Sequence, residues 1–431
     1  MGIQKKVKKA PFQITNIVQK ILFAASTQSL SHGPSETKSS SHHVITSYSD
    51  KAFVMTDGNA TVVEGNPAMR SPDDYSILDD GPYMPQINGP PIREDDEDST
   101  YGEAPPTTTT SMCSAAARCI TKHGRRYEFY YQGGFHPFPN DAAEQQRIAA
   151  FHRHITQYLA SSGSNGGHGL HFAPIQPNGK SVLDMGTGTG DWAIDMGKLY
   201  RGAVIIGADL SPIQRRKEVS IDARSILSYD KVPVNVEWIM DDLELEWVDP
   251  ILYHYIHCRN FGGSIKDWPR LIRQVHEGLE PGGWVEFHEL STDFTSDDET
   301  IGLNTGLAKL ISVLNEACKK TGRILDPTPR LKDWIVEAGF SSVQQHNIKL
   351  PVGDWPENRQ DKDIGVGVRE YISDGLQGMT AVLVREELGW SEDKVEELCA
   401  QARATMSLHA RLSIDYTIVI AQKAPRDYPA A

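Results

Sequence analysis

The stretch Ser181–Gly197, SVLDMGTGTGDWAIDMG, constrains the fold of this chain more than any other. A short apolar run ends in an aspartate, Asp184. Three glycines, Gly186, Gly188 and Gly190, then alternate with threonines, and an apolar segment of helical period follows. That order reads as a buried strand, a tight turn and the first turns of a helix. Side chains are missing where the turn is sharpest, so the backbone there can come close to a ligand. A strand, glycine turn and helix of this kind opens an α/β sheet that binds ligands at the carboxyl ends of its strands.

The segments that follow repeat the alternation. AVIIGADLS reads as a second buried strand ending in Asp209, and VNVEWIMDDLE as a third ending in Asp241 and Asp242. YHYIHCRNF is a fourth. A helix opens at Asp267 or Pro269 and runs to Leu279, Pro281-Gly282-Gly283 turns the chain, and WVEFHEL is a fifth strand. Strands alternating with helices across short loops predict a doubly wound, mostly parallel sheet.

Three ligands compete for the glycine turn. A phosphate-binding loop needs Lys-Ser/Thr after the last glycine, and Asp191-Trp192 stands there. A dinucleotide turn has its third glycine one position later, and Asp191 beside a pyrophosphate would repel it. S-adenosylmethionine suits the pattern better. Its methionine end carries a carboxylate for the backbone N–H groups and the helix amino terminus, and an ammonium for a nearby acid such as Asp184. Asp209, about 20 residues on, is placed for ribose hydroxyls. Asp241 or Asp242 can accept from the adenine amino group. Three acids ending three successive strands are costly to bury without partners, which a ligand supplies.

Outside this region the chain changes character. Residues 27–118 are rich in Ser, Thr, Pro, Gly and acids, and include PPTTTT and REDDEDS, a composition that predicts disorder. Before them, Lys5, Lys6, Lys8 and Lys9 precede Ile14, Ile17, Val18, Ile21 and Leu22 at helical spacing. That is a basic amphipathic start, interrupted by Asn16, Gln19 and Lys20 and so unlike a signal peptide. A net charge of −14 argues against direct nucleic-acid binding. Five scattered cysteines make no disulfide framework or zinc site, and no apolar run is long enough for a transmembrane segment, so an intracellular protein is expected.

The ordered set VLDMGTGTGDWAIDM, IIGADLSPIQ, VEWIMDDLELEW and IHCRNFGGSIKDWPRLIRQVHEGLEPGGWVEFHE resembles the class I S-adenosylmethionine-dependent methyltransferases. More narrowly, it is similar to the LaeA-type methyltransferases of filamentous fungi. Upstream, GRRYEFYYQGGFHPFPNDAAEQQRIAAFHRHI is similar to that group's lead-in. Downstream, LPVGDWPENRQDKDIG, GLQGM and LGWSEDKVEEL resemble its carboxyl-terminal half. The fourth strand carries His254 where the group often has an aspartate. The resemblance implies a seven-stranded sheet and a methyltransferase domain over residues 120–425: lead-in helices at 120–175, a cofactor-binding core at 176–292 and an acceptor-side half at 293–425. Residues 1–119 are then an extension.

It also implies a place in fungal secondary metabolism, in one of two ways. The protein methylates a small-molecule intermediate, or it is a nuclear regulator of secondary metabolism and development with a protein partner of velvet type. If the acceptor is a hydroxyl, methyl transfer calls for a base. His257 after the fourth strand and His288 on the fifth are the catalytic candidates, followed by Glu286 and Glu289. Histidines on buried strands are also common as hydrogen-bonded core residues. Trp192, Trp238, Trp247 and the lead-in aromatics Tyr127, Tyr130, Tyr131 and Phe135 read as packing, with a cation–π contact to a sulfonium as the alternative.

Overall fold

A computed structural model describes residues 119–130, 134–162, 165–215, 232–248, 251–296, 305–408 and 411–426, together with the backbone of two short strands near the amino terminus. Those strands, β1 (Phe53–Thr56) and β2 (Asn59–Val62), pair antiparallel. The basic start at 1–22 and the rest of the extension lie outside the described residues, as do Cys113 and Tyr131.

The lead-in begins with strands instead of the expected helices. β3 (Cys119–Lys122), β4 (Arg125–Tyr130) and β5 (Gly134–Pro139) form an antiparallel sheet of their own in that order. His123 and Gly124, both at positive φ (51° and 75°), make the two-residue turn that joins β3 to β4. Only after Asn140 does the chain turn helical. Asp141 caps α1 (Ala142–Ser161) by accepting from the Glu144 N–H at 3.1 Å. Phe151, Ile155 and Leu159, four apart, give α1 its buried stripe.

The main sheet has seven strands. β6 (Ser181–Met185), β7 (Val204–Asp209), β8 (Val236–Met240), β9 (Tyr253–Arg259) and β10 (Leu279–Ser296) all run parallel, and β12 (Leu412–Gln422) is antiparallel to β10 and to β11 (Ser341–Pro351). The spatial order is β11-β12-β10-β9-β6-β7-β8. The first five strands match the sequence reading. The other two come from the carboxyl-terminal half, so the sheet is not confined to residues 176–292.

Alternation along the strands builds two cores. On one face Leu183, Met185, Ile206, Ile256 and Phe287 pack with Trp268 and Leu271 of α3 (Trp268–Gly278) and with Trp334 of α5 (Thr328–Glu337). On the other, Val182, Ile205 and Tyr255 pack with Trp192 and Met196 of α2 (Asp191–Leu199). Towards β11 and β12 this second face is covered by α1, α4 (Gly306–Lys320), α6 (Arg359–Leu383) and α8 (Glu392–Leu408). A short helix, α7 (Arg385–Leu388), follows α6. Among the described residues no helix is long and apolar enough to cross a membrane.

Candidate functional site

The carboxyl ends of β6, β7, β8 and β9 open into one cavity of about 360 Å³. Asp184, Gly186, Gly188, Asp209, Asp241, Asp242 and His257 line it. Strand order explains the convergence. β6 lies between β7 and β9, so the turn after it is flanked by the ends of both neighbours.

The glycine turn is a backbone cradle. Gly186, Gly188 and Gly190 all have positive φ. A Cβ on Gly186 would stand 2.3 Å from the Phe261 ring, and one on Gly190 2.4 Å from the Trp238 indole. Gly190 is the residue before α2 and offers no side chain to cap it, which leaves the first N–H groups of the helix for a ligand. Asp209 pins the middle of the turn, accepting from the N–H of Gly188 at 2.8 Å and of Ser211 at 2.9 Å. Each carboxylate oxygen takes more than one bond, so Asp209 retains capacity for ribose hydroxyls. Burial raises it to about 6. Asp241 and Asp242 follow β8 on the cavity wall, where Asp241 accepts from the Asp242 N–H at 2.9 Å and Asp242 from the Glu244 N–H at 3.0 Å.

Asp184 does something the sequence did not reveal. Its Oδ2 accepts from the Thr187 hydroxyl at 2.5 Å and its Oδ1 lies 2.8 Å from His257 Nδ1. Both oxygens are engaged by this chain's own side chains, so that Asp184 forms a buried Asp–His pair on the cavity wall. Desolvation drives both groups towards their neutral forms, Asp184 up to about 7 and His257 well below its ordinary value. The His257 ring stacks on Trp192, centroids 3.9 Å apart and planes within 1°. The Nδ1 edge of the ring faces Asp184, with Nε2 on the other side of the ring. That Nε2 is buried and has no hydrogen-bond partner.

His288 is elsewhere. It is not among the cavity-lining residues, and both its nitrogens are engaged, Nε2 with Glu286 at 2.7 Å and Nδ1 with the Tyr416 hydroxyl at 3.1 Å. Glu286 also accepts from the N–H groups of Phe172 and Ala173 and from the Tyr255 hydroxyl. Burial alone would raise Glu286, but the bond to His288 and these donors bring it down to about 2. The pair ties β10 to the segment before β6. Glu289 does line the cavity, held by the N–H groups of Phe261 and Gly262 at 2.7 and 3.1 Å and raised by burial to about 8. His254, at the amino end of β9, pairs with Glu280 far from the cavity, and Tyr127 is core, donating to the Gly378 carbonyl.

Several lining residues carried no sequence signal of their own. Arg259 ends β9 one position past Cys258, which is in register with Met185, and so stands beside the glycine turn. Its guanidinium donates to His152 Nδ1 at 2.9 Å, and His152 Nε2 reaches Asp195 at 3.1 Å. Among the described residues no carboxylate forms an ion pair with Arg259, whereas Arg147 pairs with Glu144 and Arg215 with Asp191. Asn260 has φ +59°, donates to the Tyr371 hydroxyl at 3.1 Å and leaves Oδ1 buried without a partner. The remainder of the cavity is apolar. Leu307, Leu310, Ile311 and Leu314 form one stripe of α4, and Ile372, Leu376 and Met379 one stripe of α6.

A glycine turn with positive φ throughout, an uncapped helix start and an arginine with no carboxylate partner among the described residues fit the zwitterionic end of S-adenosylmethionine. Strand order and site together define a class I methyltransferase. A family model described as a methyltransferase domain matches residues 152–345. The methyltransferase pytC of Aspergillus terreus is 40% identical over 319 residues, covering 74% of this chain and 92% of the relative. The secondary metabolism regulator laeA of Aspergillus fumigatus is 28% identical over 292 residues, 66% of this chain and 71% of that one. LAE1 of Cochliobolus heterostrophus, also a secondary metabolism regulator, is 29% identical over 278 residues, covering 62% and 82%. The chain belongs to the S-adenosylmethionine-dependent methyltransferases, and it resembles the laeA regulators at lower identity.

Proposed function

We propose that this enzyme methylates a small-molecule intermediate of fungal secondary metabolism. The observation that carries the reading is the division of one cavity, acids and glycine turn on one part and aliphatic helix faces on the other. Bound there, S-adenosylmethionine supplies a methyl carbon activated by its sulfonium. The chain's residues hold and align. The glycine turn, the amino terminus of α2 and Arg259 receive the carboxylate, Asp209 the ribose, and Asp241 or Asp242 the adenine amino group. His257, paired with Asp184, is the base for an acceptor that must lose a proton.

Calorimetry with S-adenosylhomocysteine tests the cofactor assignment. Binding should be lost in Asp209→Ala and Gly188→Asp, and undiminished affinity in both folded variants would refute it. The regulator names among the relatives favour a second reading, a nuclear regulator with a protein partner of velvet type. Metabolite profiling of a deletion strain separates the two. One compound lacking one methyl group supports the enzyme, and many silenced compounds support the regulator.

A further inference from the structure

Of the groups assigned to the cofactor, Arg259 alone has a long side chain with many rotamers. An arginine that serves a ligand has two needs, and they conflict. Its guanidinium must be aimed, and its charge must stay available. A carboxylate partner would aim it through a strong paired contact, and would also cancel the charge that the ligand's own carboxylate is to meet. An uncharged acceptor aims the group without cancelling it.

His152 meets both needs. It stands on α1, is 4% exposed and lines the same cavity as Arg259. Its Nδ1 receives a guanidinium N–H of Arg259 at 2.9 Å. A guanidinium donates only, so Nδ1 carries no proton. The ring's proton is then on Nε2, which donates to Asp195 Oδ2 at 3.1 Å. Asp195 belongs to α2, and its other oxygen accepts from Lys198 at 3.0 Å. The Thr156 hydroxyl, 3.5 Å from Nδ1, is a more distant neighbour of that nitrogen. Burial lowers the pKa of His152, the bond to Asp195 opposes this, and the charge of Arg259 lowers it further. The ring thus stays uncharged, with a donor facing one nitrogen and an acceptor facing the other.

The chain of contacts joins three elements, β9 through Arg259, α1 through His152 and α2 through Asp195. Asp195 lies about one turn beyond Asp191, the first residue of α2. Arg259 is therefore tied to the helix whose first N–H groups are left open to a ligand. Its side chain is ordered when the protein folds, so the entropy of ordering it does not weigh against binding.

We propose that His152 is a positioning residue for the cofactor, an imidazole that aims the Arg259 guanidinium at the cofactor's carboxylate and leaves its charge undiminished. The inference rests on the assignment of that carboxylate to Arg259.

Calorimetry on the full chain with two ligands tests this. One is S-adenosylhomocysteine. The other is 5′-deoxy-5′-methylthioadenosine, which keeps the nucleoside and the sulfur and lacks the amino-acid end. His152→Leu should weaken S-adenosylhomocysteine at least about tenfold and change the affinity for the nucleoside by less than about twofold. The retained nucleoside affinity also shows that the variant folds. His152→Asn, whose Oδ1 replaces the acceptor near Nδ1, should bind S-adenosylhomocysteine within about threefold of the wild type. His152→Asp offers an acceptor of the same size and adds a charge that cancels Arg259, so it should bind no better than His152→Leu. In an Arg259→Leu background, His152→Leu should cost no further affinity. Equal losses for both ligands in a folded His152→Leu variant overturn the proposal, because they mark a structural role. Equal affinities of the Asn and Asp variants for S-adenosylhomocysteine overturn it too, and that comparison decides even where His152→Leu does not fold. Undiminished affinity in Arg259→Leu would instead refute the assignment on which the proposal rests.

Discussion

Asp209 and His257 were both legible as site residues, yet only the folded chain separates their tasks. Asp209 ends a strand, as the sequence suggested, and in the folded chain it also holds the glycine turn through Gly188. Its carboxyl is raised to about 6, and ribose hydroxyls donate to the ionised form. Affinity for S-adenosylhomocysteine should therefore tighten by about tenfold between pH 5 and pH 7, as the ionised fraction rises through that value. A pH series by calorimetry checks this, and Asp209→Asn should flatten the profile. His257 is paired with an acid 73 positions away in the chain, a contact that no local motif announces. His257→Ala should lower turnover by about 10²–10⁴ while affinity for S-adenosylhomocysteine stays unchanged. Equal losses in turnover and affinity would make the residue part of the binding site only. His288 shows the opposite outcome. Two histidines on adjacent buried strands look alike in sequence, and only the partners of their ring nitrogens distinguish His257, with one nitrogen unpartnered, from His288, with both engaged.

At the scale of elements, the five strands with strong apolar runs were readable because their period and flanking turns agree. The lead-in was misread as helical. GRRYEFYY carries strand residues, and the His123-Gly124 turn that sets them in a hairpin is a weak signal without its φ values. β11 was missed for a different reason. Its sequence SSVQQHNIKLP is half polar and its burial alternates, because it lies at the edge of the sheet. The helix after β9 was read correctly to within a residue, with Asp267 as its cap accepting from the Arg270 N–H at 2.9 Å. Asp267→Ala should cost about 1 kcal/mol, seen as a lower midpoint in urea. The slope of that transition should not change, since α3 packs on the face of the sheet away from α2 and the apolar chamber.

The molecule as a whole places three raised carboxyls in one cavity, Asp184 near 7, Asp209 near 6 and Glu289 near 8. Each keeps its proton in the folded state over a range where the unfolded chain has released it. These three groups make the stability of the ligand-free protein fall as pH rises from about 7 to 8. At lower pH His136, His168 and His257, kept neutral by burial where the unfolded chain's histidines take up a proton, act in the opposite sense, so the maximum lies near neutral pH. Glu286, brought down to about 2, acts in the other sense and is lost as pH falls through that value. Thermal midpoints measured across about pH 7–8.5 check the slope, and a midpoint that rises over this range would contradict it. Excess S-adenosylhomocysteine should raise the midpoint throughout, the added stability being about 2.7 kcal/mol at a hundred times its dissociation constant.

The position of β12 has a consequence for how the protein is made. β12 lies between β10 and β11, although it is the last strand to be synthesised. Until residues 412–422 leave the ribosome, β10 presents an open edge and β11 has no neighbour to pair with. Ile414 and Tyr416, one a wall of the cavity and the other the partner of His288, are missing for the same interval. From the completion of β10 until that of β12 the nascent chain therefore carries an adhesive strand edge, the situation in which aggregation competes with folding. A chain truncated after Arg411 should be recovered largely in inclusion bodies or bound to chaperones, and recovery of a soluble protein with a cooperative unfolding transition would show that the edge is protected in another way.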